Sequence, residues 1–123
     1  MRCSPDAYIQ MIVQLAYFNM FGKNRSTYEL VMARRFQQGR TEACRSVSSE
    51  SVAFCKAMED SSSDPAATAA LFRKALEAHV EYVTAAAGGK GVDRHLYGLK
   101  KLLRPDEEVP AIFQDPAYAY SST

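Results

Sequence analysis

Ser4-Pro5-Asp6-Ala7-Tyr8-Ile9-Gln10-Met11-Ile12-Val13-Gln14-Leu15-Ala16-Tyr17-Phe18-Asn19-Met20-Phe21-Gly22 is the stretch on which the fold turns. Ser4 is a good helix N-cap, Pro5 suits the first helical position because its missing N–H costs nothing there, and Asp6 favours the positive end of the helix dipole. Ile9, Ile12, Val13, Ala16 and Met20 recur at helical spacing, and Tyr8, Met11, Leu15 and Phe18 fill the neighbouring face. Polar groups come from Gln10, Gln14, Tyr17 and Asn19, largely along one stripe. So broad an apolar surface predicts a helix surrounded by protein, closed by Gly22. It also predicts that this chain by itself exposes a large apolar area, and is marginal or prone to aggregate.

Working outward, Ser26 to Met32 carries β-favouring residues between polar breaks and reads as a strand. Residues 33–45 read as irregular or as a short strand, with a turn near Gly39. Ser48 caps a short helix whose apolar content is Val52, Phe54, Cys55 and Met58. Asp64-Pro65 then starts a long one. Its inward stripes are Leu71, Ala75, Ala78, Tyr82 and Ala85, and beside them Phe72, Leu76, His79 and Val83; Arg73, Glu77 and Glu81 mark the exposed side. Gly88-Gly89-Lys90-Gly91 ends it. Asp93 is placed to cap a further helix with Leu96, Leu99 and Leu103 before Pro105, and the rest reads as loop with one helical turn near 111–113. The fold class is α+β, mostly helical, with about four helices and one or two short strands.

Composition excludes several functions. Fifteen Lys and Arg against fourteen Asp and Glu leave a net charge of +1 over 123 residues, so no global field points to nucleic acid or an anionic membrane. No apolar run approaches the ~20 residues of a membrane span. The start has neither the apolar core of a signal peptide nor an Arg/Ser-rich leader. Cys3, Cys44 and Cys55 are odd in number and contain no C-x-x-C pair, which speaks against a disulfide framework and a Cys-rich zinc site. No metal site and no catalytic residue are expected.

The glycine-lysine run is not a phosphate loop, because it lacks the preceding strand, the four-residue glycine spacing and the Ser or Thr after lysine. Neither His79 nor His95 belongs to a nucleophile or metal motif; His79 reads as a core histidine. Residues 23–45 hold six basic and two acidic side chains, but the acidic segments 50–64 and 105–123 balance them. Arg40, Arg45 and Arg94 stand among small and apolar neighbours, with the hydroxyls of Tyr28 and Thr41 nearby in sequence. A guanidinium in such surroundings commonly meets a carboxylate or phosphate, which suggests a small anionic ligand.

Ser4-Pro5-Asp6-Ala7-Tyr8-Ile9-Gln10, Gln14-Leu15-Ala16-Tyr17, Thr27-Tyr28-Glu29, Arg35-Phe36, Gly39-Arg40-Thr41-Glu42, Arg45-Ser46, Asp93-Arg94-His95-Leu96 and Gly98-Leu99 follow one another in register. Together they resemble the C-terminal-half signature of the carnitine/choline acyltransferases, over nearly the whole chain. The resemblance implies acyl transfer between coenzyme A and the hydroxyl of carnitine or choline. It makes residues 1–123 the substrate-side part of an α/β acyltransferase domain. It also implies that Tyr28, Thr41 and Arg94 hold the carboxylate of carnitine, with the Arg94 guanidinium buried. Choline-type members replace the Thr and the Arg, so their retention favours carnitine. Asp6 falls on the coenzyme A side. Two positions depart from the family: Leu30 stands where a Ser is common, and Val80 where some members have an Arg that meets coenzyme A.

By the same resemblance, the general-base histidine and the lysines that meet the coenzyme A phosphate belong upstream of Ser4, and an oxyanion-stabilising Ser-Thr-Ser downstream, with Ser121-Ser122-Thr123 as its lead-in. The expectation is a segment inactive alone, with coenzyme A or acyl-coenzyme A as a co-substrate and no tightly bound cofactor. Expected partners are carnitine and acyl-coenzyme A, with no nucleic acid and no transmembrane segment. The family suggests a mitochondrial or peroxisomal location, and the flavour is closest to acetyl-type members. The alternative is a non-catalytic helical binding or interaction module.

Overall fold

The computed structural model describes residues 3–121, with the side chain of Ser121 excepted. Its elements are α1 (Pro5–Phe21), β1 (Tyr28–Met32), β2 (Thr41–Arg45), α2 (Ser49–Glu59), α3 (Pro65–Ala85), α4 (Asp93–Leu102), α5 (Ala111–Gln114) and α6 (Pro116–Ser121), and Ala86–Lys90 continues α3 as far as a kink at Gly89, where φ is 78°. The helix-rich α+β class follows the sequence reading, with α6 added beyond the expected turn near 111–113. Ser122 and Thr123, the end of the expected lead-in, lie outside the described residues.

Local signals set most of the boundaries. Ser4 accepts the N–H of Ala7, and Gly22 adopts φ 65° to end α1, a conformation in which a Cβ would be strained. Ser48 and Ser51 form a reciprocal capping box at α2, and Asp64 caps α3 ahead of Pro65. Asp93 behaves differently. Val92 is the N-cap of α4 and makes no side-chain cap bond, while Asp93 sits in the first turn and pairs with Arg45.

Helices α1, α2 and α3 share a core of Ala7, Met11, Phe54, Cys55, Ala75 and Leu76, with Leu15, Phe18, Leu71 and Phe72 packed against it. Phe72 bridges the helices, edge-on to Tyr8 at 5.8 Å and tilted on Phe54 at 4.8 Å. β1 and β2 form an antiparallel hairpin in the register Tyr28↔Arg45, Leu30↔Ala43, Met32↔Thr41. Directly paired residues share a face, so Glu29, Cys44, Val31 and Glu42 point inward, where Val31 and Cys44 meet Ala86. Tyr28, Leu30, Met32, Thr41, Ala43 and Arg45 make the outer face.

The first helix departs from its expected surroundings in an instructive way. Its polar stripe turns inward: Gln14 is buried and donates to the Ser46 carbonyl at 2.6 Å, and Gln10 donates to Glu29 at 2.7 Å. The hairpin presents polar groups there, so amides fit where an apolar stripe would strand them. Ile9, Ile12, Val13, Met20 and Phe21 remain exposed in this chain. Val13→Lys, at 57% exposed, should lower apolar-dye binding and remove the concentration dependence of melting with helix content unchanged. Unaltered dye binding would count against that apolar face as the sticky one.

Candidate functional site

A cleft of about 410 Å³ opens on the outer face of the hairpin, between β1, β2 and α4. Tyr28 and Ala43 line it from the sheet, and Arg94 and Tyr97 from α4. The Arg45 guanidinium stands 5.5 Å from the centre of the Tyr28 ring and pairs with Asp93. Of the three arginines expected to meet an anion, Arg45 therefore meets a carboxylate of its own chain. Arg40 and Arg94 are exposed, so the buried guanidinium expected at position 94 is corrected to one at the open mouth of the cleft.

Tyr28 and Arg94 are thus brought to one cavity. Thr41 is not part of its lining; it stands on the same sheet face, opposite Met32 and four residues along from Tyr28's end. At strand rise that is roughly 13 Å away. Asp6 lies on the other side of the hairpin, at the start of α1, where its mostly exposed carboxylate is 3.4 Å from His79 Nε2. The four expected site residues therefore fall in two groups, one on each side of the sheet. Leu30, where a Ser is common in the family, is exposed on the outer face, and Val80 is exposed on α3.

Beneath the hairpin lies a polar knot that motif reading missed. His79 is buried, with Nε2 2.8 Å from Glu29 Oε1, within ion-pair distance although not aligned for a hydrogen bond. Among the described residues Nδ1 has no partner. Among the described residues, Glu29, Cys44 and His79 are the one group able to converge on a metal, their donor atoms within 4.8 Å of one another. Burial, reinforced by the negative charges of Glu29 and Asp6, pushes Cys44 from an ordinary 9.0 up to about 12, so it is a protonated thiol at neutral pH.

That shift has a measurable sign. Below about pH 9 the thiol is protonated in both folded and unfolded chains; between there and about pH 12 only the unfolded chain loses the proton. Stability should fall through that alkaline window, and Cys44→Ala should flatten the fall. Urea midpoints of both proteins at about pH 8 and about pH 10.5 check it, and equal slopes would refute it.

With fold and cleft in place, residues 1–123 match the sequence profile of the family described as Choline/Carnitine o-acyltransferase, and the chain belongs to that family. Its relatives include human carnitine O-acetyltransferase, 45% identical over 119 residues, covering 96% of this chain and 19% of the human protein. Mitochondrial carnitine O-acetyltransferase of Saccharomyces cerevisiae is 40% identical over 121 residues, 98% of this chain and 18% of the yeast protein. Mouse choline O-acetyltransferase is 38% identical over 124 residues, 98% of this chain and 19% of the mouse protein. The chain therefore spans about a fifth of the length of these relatives. No helix among the described residues is long and apolar enough to cross a membrane.

Proposed function

We propose that this chain supplies the carnitine-holding part of a carnitine O-acyltransferase, with acyl-coenzyme A as the other substrate. The observation that carries the reading is the meeting of Tyr28 and Arg94 at one cleft on the hairpin's outer face. A guanidinium fork and a phenol together match a carboxylate, which only accepts hydrogen bonds. Thr41, at the far end of the same face, stands outside the cleft and is not part of this pair. The position of Asp6 on the opposite side of the sheet suits a second substrate that approaches separately, the coenzyme A side. The clamp positions the alcohol and does no proton transfer. Neither histidine serves as the general base of acyl transfer: His79 is buried under the hairpin and His95 is not among the residues lining the cleft. A mitochondrial location is part of the proposal, by analogy with the yeast relative.

Calorimetry distinguishes carnitine from choline. Saturable heat with carnitine, and much weaker heat with choline, is the expected result, because choline offers nothing to Arg94. No heat at millimolar carnitine would mean that this segment alone does not retain the pocket, and would overturn the carnitine-holding assignment for this chain. Acetyl-coenzyme A, carnitine and this chain together should release no thiol above background; turnover would overturn the positioning-only assignment.

A further inference from the structure

Glu42 occupies an unusual place for a carboxylate. It is buried on the inner face of β2, yet it forms none of the ion pairs found among the described residues. Its Oε1 accepts two backbone N–H groups, from Ala43 at 2.7 Å and from Arg94 at 3.2 Å. Arg94 is the second residue of α4, whose own N-cap, Val92, offers no side-chain acceptor. The first N–H groups of a helix have no partner within the helix, and that end carries partial positive charge. Glu42 therefore supplies from a neighbouring strand the cap that α4 lacks.

The chain leaves room for it at one position. A Cβ on Gly91 would lie 2.2 Å from Cγ, 2.6 Å from Cδ and 2.7 Å from Oε2 of Glu42. Gly91 has φ −69° and ψ 152°, values any residue can adopt, so it is the space that demands glycine and not the backbone. The Arg45–Asp93 pair fastens the adjacent helical residue to the other end of β2. Two consecutive residues of α4 are thus tied to one strand, through a backbone amide and through a side chain.

We propose that Glu42, seated over Gly91, is a positioning residue: it caps α4 from β2 and thereby sets where Arg94 stands across the cleft from Tyr28. This rests on the reading of Arg94 as the carboxylate-holding group, and adds the residues that aim it. A glutamine keeps an acceptor oxygen of the same shape, whereas alanine does not.

Hydrogen exchange at the Arg94 amide of the 123-residue chain, referenced to amides in α2, tests it. Glu42→Ala should speed that exchange by roughly tenfold, the worth of a helix cap, and Glu42→Gln should restore most of the protection. Gly91→Ala should resemble Glu42→Ala, and the double variant should exchange no faster than Glu42→Ala alone, since the clash has gone with the carboxylate. Carnitine affinity should follow the same order. Exchange within twofold of the parent in Glu42→Ala, or additive effects of the two substitutions, would overturn the cap. Faster exchange with unchanged carnitine affinity would overturn the positioning role. Should the parent chain bind no carnitine, the clamp reading fails by itself and the amide alone decides the cap.

Discussion

Arg94→Ala should weaken carnitine binding by roughly 30-fold, about 2 kcal/mol, while leaving the weak response to choline unchanged. A charge-assisted hydrogen bond to a carboxylate is worth about 1.5–3 kcal/mol, and the exposed position of Arg94 argues against the larger loss expected for a buried guanidinium. Arg94→Lys should fall between the two, since an ammonium keeps the charge but loses the two-pronged fit. Tyr28→Phe should cost one neutral hydrogen bond, about 1 kcal/mol, and Thr41→Val less than that because Thr41 lies outside the cleft lining. Titration calorimetry of the four variants with both ligands gives the comparison. If Arg94→Ala binds carnitine as tightly as the parent, the carboxylate is held elsewhere.

What could be read from the sequence was local. Ser4, Ser48, Asp64 and Gly22 act on backbone within four residues, so their caps and stops were legible at the positions the structure gives them. The stripes of α3 were legible for the same reason. Long-range partners were not. Asp93 stands where a cap residue is common, yet Arg45, 48 residues away, takes its carboxylate, and Glu42, 52 residues from Arg94, takes over the capping. No periodicity carries such pairs. The inward turn of Gln10 and Gln14 was hidden likewise, since a polar stripe on an apolar helix reads as the wet side until Glu29 and the Ser46 carbonyl come into place. At the cleft, the motifs marked Tyr28 and Arg94, whereas the separation of Thr41 from them follows only from strand register.

That register also puts Glu29 under the sheet against His79, and the second large effect is expected there. His79→Ala should lower stability by about 3 kcal/mol, because it leaves a mostly buried carboxylate with Gln10 as its remaining close partner and opens a cavity beside Cys44. A chain of this size has only about 5–15 kcal/mol in total, so the melting temperature should drop by roughly 10 °C. The cause can be separated from simple loss of volume. If the penalty comes from an uncompensated carboxylate, removing that carboxylate as well should recover part of it, and the Glu29→Leu, His79→Leu pair should cost less than the sum of its members. A pure packing effect predicts additivity or worse. Melts of the single and double variants near neutral pH, with Cys44 present throughout, decide between these. A His79→Ala melt within about 2 °C of the parent would show that Gln10 and solvent satisfy Glu29 without the imidazole, and the knot beneath the hairpin would then have no part in holding β1, and Tyr28 with it, in place.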